Sequence, residues 1–499
     1  MNKKRLICTV LAGSMILSTL LSGCKTSKPL VESPKEELKP VELSWYFIGG
    51  GAAKDGDLVN TEISNYLKDK INAKLTITQF DWGTYDTKVG TMIAAGEPAD
   101  LVFTCGWALP FKPNAQKGAF LELDDLLSKY GTNVKKILGP SYLAGGQLDG
   151  KQYAIPVNKD SAHSKGFMFN KIMVDKYKFD LTTVKKLEDL EPMLKIIKDS
   201  EKGNIVTNMG VGVNTGSGPA VLLDFDELSG DSNVPYGLMS NNDASNTKIV
   251  NLFDTKEMKE QLKVVRKFNQ AGYVRADAPT MKTDPAESQG KRFVGFAQLK
   301  PNGDKEGSSA VNQRVQVEYT KPVSSNSDIN NSMYAITKNS KNPERAMMLL
   351  DLMYTDKKLV NMAVIGIEGK HYTKIDENTY APTATPLYTS SVTWQFGNQF
   401  LDLLNKEEDP KKWETLIAFN KAAVPLNSLG FSFDSTSVAT ELAAIGTVSK
   451  EYQPVILTGS VDPDQYLIKY SAKLKEAGEA KVMAEMQKQY DAFLKTKKK

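Results

Sequence analysis

A chain of 499 residues carrying 63 basic and 59 acidic side chains is too evenly charged to show the footprint of a nucleic-acid binder. Three cysteines rule out a disulfide framework, and two histidines leave little for His-based triads or multi-His metal centres. The apolar share of 41 % is that of an ordinary soluble protein, while the length exceeds what one core usually serves, so two lobes are expected.

Lys3, Lys4 and Arg5 precede an apolar run over residues 6–21. That run is short for a membrane span, which needs about 20 residues, and reads as the apolar stretch of a secretory signal. It ends in Leu21-Ser22-Gly23-Cys24, which resembles the lipobox at which a bacterial prolipoprotein is acylated and cut. Residues 1–23 are therefore expected to be a signal peptide and Cys24 the lipid anchor. Two acyl chains suffice for stable attachment where one is marginal. Loss of the signal removes three basic residues and leaves the chain near neutral. Cys8 leaves with it, so Cys105 is the one remaining thiol, expected to be a small buried hydrophobe. Residues 24–40, with Pro29, Pro34 and Pro40 among Lys, Ser and Glu, read as an extended tether.

Order is expected from residue 41. Residues 41–47 are strand-like and end at Gly49-Gly50-Gly51; Val59, Ile63, Tyr66, Leu67 and Ile71 follow helical spacing. Residues 73–80 form a second strand, and Tyr85, Val89, Met92 and Ile93 a second helical stripe with Gly96 at its end. Residues 101–104 make a third strand. This alternation predicts a βαβαβ unit with a mostly parallel sheet. Such sheets bind ligands at the carboxyl ends of their strands, here Gly49–Gly51, Asp81-Trp82 and Cys105-Gly106-Trp107.

Further on, residues 153–157 and 167–170 read as two successive strands, consistent with a crossing between lobes. Asn342-Pro343 and Asp462-Pro463 are helix starts, a capping residue followed by proline at the first helical position. Gly478 is expected to split the C-terminal helical segment in two.

Gly150-Lys151-Gln152-Tyr153-Ala154-Ile155-Pro156 and Phe169-Asn170-Lys171 resemble the entry to the second lobe in family 1 extracellular solute-binding proteins. Residues 338–346, 366–372, 394–398, Phe431-Ser432-Phe433-Asp434 and Glu451-Tyr452 resemble the LipO-like branch of that family. The resemblance implies an α/β type II periplasmic-binding-protein fold, two lobes with mostly parallel sheets joined by a hinge. The lobes are expected at 41–155 with part of 322–385, and at 156–321 with part of 386–460; residues 461–499 are expected to be C-terminal helices. It also implies a lipid-anchored ABC-importer component on the outer face of the cell membrane. Its partners would be a small solute, most often a sugar or oligosaccharide, and permease subunits driven by a cytoplasmic ATPase. The chain is expected to act as a monomer without cofactor or metal.

A sugar presents apolar C–H faces to aromatic rings and hydroxyls to amides and carboxylates. Trp82, Trp107 and Trp394 stand in loop contexts beside Asp81, Gln147, Asn158, Gln395 and Asn398, and these eight are the candidate ligand contacts. Trp45 and Trp413 fall inside a strand and a helical run and are expected in the core. No phosphate loop or nucleophile elbow is present. A surface-anchored carbohydrate-active enzyme remains the alternative, because the spacing of a carboxylate pair is not visible in sequence.

Overall fold

The computed structural model describes residues 38–201, 218–239, 245–281, 286, 289–306, 308–390 and 392–497. Cys24, the signal peptide and most of the tether lie outside the described residues.

Strand β1 (Val41–Gly49), helix α1 (Gly56–Ile71), β2 (Ala73–Asp81), α2 (Tyr85–Ala94) and β3 (Leu101–Thr104) alternate as the periodicity predicts. In α1 every fourth residue, Val59, Ile63, Leu67 and Ile71, is buried, so one stripe packs on the sheet while Glu62, Lys68, Asp69 and Lys70 face water. Asn72 ends the helix in the left-handed region, φ 45°, its N–H returning to Lys68 O. β1 lies between β2 and β3, parallel to both, with Trp45 opposite Ile77 on one side and Leu101 on the other. All four residues of β3 are buried, as a central strand covered on both faces requires. Two strands from far along the chain complete this sheet: Met333–Ile336 pairs antiparallel with β3, and Ile155–Pro156 pairs antiparallel with Met333–Ile336. The first core accordingly draws on residues 43–157 and again on 333–403.

The other half departs from the expected mostly parallel arrangement. Among the described residues its two three-stranded sheets are antiparallel: Ser164–Asn170 lies between Val294–Leu299 and Arg314–Glu318, and Tyr236–Met239 between Phe225–Glu227 and Val250–Asn251. Apolar alternation marks a strand but says nothing of which neighbour it meets or in what direction. Helices Ala439–Leu457, Pro463–Glu476 and Glu479–Lys497 share a core with residues from 220–238 and 249–262. Gly478, at φ 99°, makes the break between the last two.

Three segments run between the halves. The first leads from Val157 to Phe167, the second from Val317 to Met333, the third from Leu403 to Phe431. They are joined to one another: His163 and Val323 exchange backbone hydrogen bonds of 2.9 and 2.8 Å, and Val323–Ser324 pairs in parallel with Val424–Pro425.

Candidate functional site

At the carboxyl ends of β2 and β3 the chain turns sharply, and each turn carries a tryptophan. Asp81 closes the first: its carboxylate accepts from Gly83 N at 3.0 Å and from the Thr84 hydroxyl, which holds its carboxyl below the usual range. Trp82 sits on this turn, 54 % exposed. The second turn is tied at several points. Cys105 N donates to Ala108 O at 3.0 Å, Phe111 N to Cys105 O at 2.9 Å, the Thr104 hydroxyl to Leu109 O at 2.6 Å, and Leu109 N to Asp86 at 2.8 Å. Trp107 is carried at its tip, 48 % exposed.

The two rings meet, centroids 6.1 Å apart and planes inclined by 32°. Trp394, half-buried, joins from 287 residues further along the chain, 5.9 Å from Trp107. Beneath them lies Phe103 of β3, fully buried, 5.6 Å from Trp107 and 5.9 Å from Trp394. Tilted and edge-on rings at these spacings are favourable pairings, and Phe103 is the contact that joins the surface rings to the core. Phe103 was not among the sequence candidates; as the third residue of a short buried strand it carries no mark beyond hydrophobicity.

The structure brings Asn158 and Asn398 together and gives Gln395 and Gln147 partners elsewhere in the fold. Gln395 is fully enclosed, and its amide donates to Ile48 O at 2.9 Å, fastening the Trp394 segment to the end of β1. Asn398, also buried, caps a short turn through Phe400 N at 3.2 Å and donates to Tyr354 O at 3.2 Å. Asn158 donates to Asn398 Oδ1 at 2.8 Å, and its backbone pairs with Gly397 O and Gln399 N. Gln147, half-buried, donates to Gln152 at 3.2 Å. Gln395 and Asn398 therefore sit inside the fold rather than on an open face. Between them Gly397 is at φ 43°, and a Cβ there would stand 2.3 Å from Met353 O, so no larger residue fits. Trp45, 1 % exposed, lies in the core as expected, whereas Trp413 is half-buried, its indole N–H donating to Asp402 O at 2.9 Å.

Neither histidine is available for chemistry at this surface. His371 Nδ1 accepts from Ile367 N, so Nε2 carries the proton and donates to Asp55 at 3.1 Å. His163 Nδ1 faces the Asp328 carboxylate at 2.8 Å. Among the described residues no group of three or more His, Cys, Asp or Glu side chains is placed to hold a metal, and no helix is long and apolar enough to cross a membrane.

Cys105 lies fully buried directly under the Trp107 turn, and burial pushes its thiol up to about 12. At pH 8 only about one thiol in ten thousand would be ionised, so alkylation of the native chain should be very slow. Iodoacetamide followed by mass spectrometry should leave Cys105 unmodified in buffer and modify it in full under denaturant. Rapid labelling of the folded protein would show that the turn opens.

A family profile described as bacterial extracellular solute-binding protein matches residues 53–359, and a second, described as a domain of unknown function, matches 427–495. The chain is 33 % identical over 469 residues, 92 % of each chain, to a carbohydrate ABC transporter substrate-binding protein of Streptococcus pneumoniae. It also resembles a crystal structure of the N-glycan transport solute-binding protein NgtS from Streptococcus pneumoniae. The TM-score is 0.80 at 32 % identity, covering 92 % of this chain and all of that one. The same relative in complex with Man1GlcNAc gives 0.73 at 30 % identity, covering 91 % of this chain and all of that one. Its complex with Man5GlcNAc gives 0.68 at 31 %, covering 92 % and 99 %. With a profile spanning more than half of its length and a relative this similar over nearly all of it, the chain belongs to the bacterial extracellular solute-binding proteins.

Proposed function

We propose that this chain is the glycan-capturing component of an ABC importer, binding a mannose- and GlcNAc-containing oligosaccharide on the Trp82–Trp107–Trp394 surface. The observation that carries the reading is that contiguous trio of rings, two of them about half exposed, at the strand ends where α/β sheets receive ligands. Large exposed aromatics cost solvation and mark a binding surface when they are grouped and held rigidly. The buried amides of Gln395 and Asn398 hold the segment of the third ring in place, Asp81 closes the turn that carries the first, and Asn158 is bonded to Asn398. The glycan class follows the relative, whose complexes contain Man1GlcNAc and Man5GlcNAc. Closure over the sugar would then present the loaded form to permease subunits powered by a cytoplasmic ATPase. A lipid on Cys24 would keep the protein, as a monomer, at the outer face of the membrane. The family is one of binding proteins, which sets aside the carbohydrate-active enzyme.

Ligand linkage tests the reading. A glycan that binds only the folded protein stabilises it by about 2.7 kcal/mol at a hundredfold excess over Kd. Man5GlcNAc at that excess should raise the melting temperature measurably, with glucose and free amino acids as negative controls. Flat melting curves for Man1GlcNAc and Man5GlcNAc would remove the glycan class and leave the family assignment standing.

A further inference from the structure

Where the first crossing segment meets the antiparallel sheet of the second half, a cavity of about 410 Å3 opens that contains none of the tryptophans. Its floor is the sheet face that carries Met168 and Gln316, paired in register and turned away from the Phe167 and Phe169 core. Its wall is the crossing segment itself, with Lys159, Asp160 and His163, and the short helix Asn326–Asn330 with the Asn331 that ends it. The volume suits a small ligand.

The charges in this lining are already matched. Asp160 lies 2.6 Å from Lys159 and 3.0 Å from Lys300, Glu306 lies 2.9 Å from both Lys300 and Lys412, and Asp328 faces His163. Arg292 and Arg314, which also line the cavity, have partners of their own. An added cation would find no free carboxylate and an added anion no free ammonium. Two amide oxygens are unmatched: Gln316 Oε1 and Asn331 Oδ1 are enclosed and receive no donor from the protein. The Gln316 amide is oriented by its own nitrogen, which donates to Lys300 O at 3.0 Å. Enclosed acceptors without donors are what a hydroxyl group satisfies as the walls adjust around it. Two residues of the lining are chain neighbours of residues that hold the Trp394 segment. Asn331 is followed by Ser332, whose hydroxyl donates to Trp394 O at 3.0 Å, and Lys159 follows Asn158, which is bonded to Asn398.

We propose that this cavity is a second subsite, taking an uncharged hydroxylated sugar unit of a longer glycan by hydrogen bonds while another unit lies on the tryptophans. The assignment rests on the glycan-binding reading above. It predicts that loss of the cavity's amides is felt in proportion to glycan length. Calorimetric titration of the full chain with Man1GlcNAc and Man5GlcNAc tests it, using Gln316→Ala, Asn331→Ala and Gln298→Ala. Gln298 is exposed on the same lining, so that variant leaves the core alone. The expected result is a loss of about tenfold in Man5GlcNAc affinity with Man1GlcNAc changed by less than about twofold, and ligand-free melting temperatures close to the parent's. Equal losses for both glycans, or none for either while the parent binds both, would overturn the subsite alone. A parent that binds neither glycan would overturn the glycan reading, and the subsite with it.

Discussion

Replacing Trp107 or Trp394 by alanine is expected to weaken Man5GlcNAc binding by at least about 2 kcal/mol, roughly thirtyfold, the loss typical of an aromatic anchor. The two variants should differ in what they do to the fold. Trp107 is about half exposed at the tip of a turn whose bonds are made by Cys105, Thr104, Leu109 and Asp86, so its ring can be removed without disturbing them. Its stability, read by chemical denaturation, should change little. Trp394 is more enclosed and packs edge-on to Phe103, so part of its substitution will appear as lost stability. Calorimetric titration corrected for the folded fraction separates the two effects. Full affinity in folded Trp107→Ala would remove the aromatic surface as the glycan site.

The second large effect concerns a tryptophan that binds nothing. Trp45, 1 % exposed in β1, meets Tyr334 edge-on at 5.1 Å and Phe396 at 5.3 Å. Trp45→Ala should cost roughly 3–5 kcal/mol of stability, from the lost transfer of the ring out of water and from the cavity left behind. Glycan affinity per folded molecule should stay at the parent value. Trp45→Phe, which refills part of the space, should recover a large share of the loss. A destabilisation under about 1 kcal/mol for the alanine variant would mean that the sheet relaxes around the gap, contrary to a core packed at this density.

The first half of the fold was legible because its signals are local. An i, i+4 stripe such as Val59-Ile63-Leu67-Ile71 and short apolar strands bounded by glycine specify elements without reference to anything distant. Trp82 and Trp107 could be singled out for the same reason: each directly follows a strand whose end is the expected ligand side. Trp394 is a different case: its loop context beside Gln395 and Asn398 marked it as a candidate, but nothing near it in the chain says that it meets Trp107. Gln395 and Asn398 look like ligand contacts in sequence because a polar residue beside a tryptophan reads as exposed. Their amides are instead spent on the carbonyls of Ile48 and Tyr354, a distinction that only three dimensions reveal. The cavity at the crossing was out of reach altogether. Asp160, Lys300, Glu306 and Lys412 are ordinary surface charges in sequence and become a matched chain only when three separate segments converge.

The strand Met333–Ile336 bears on how this protein is made as well as on how it stands. A polypeptide destined for the outside of a membrane is threaded across from its amino end, and the βαβαβ unit emerges early. One flank of β3 must then wait until the chain has emerged as far as residue 333, because its partner there is Met333–Ile336. Until that moment Phe103 lacks Tyr334, its neighbour at 5.9 Å, and the first core lacks the helix Pro343–Met353 that it shares. Contacts so distant along the chain make for slow folding. Until then that flank of β3 is an open sheet edge, the kind of edge that pairs with other chains when it stays uncovered.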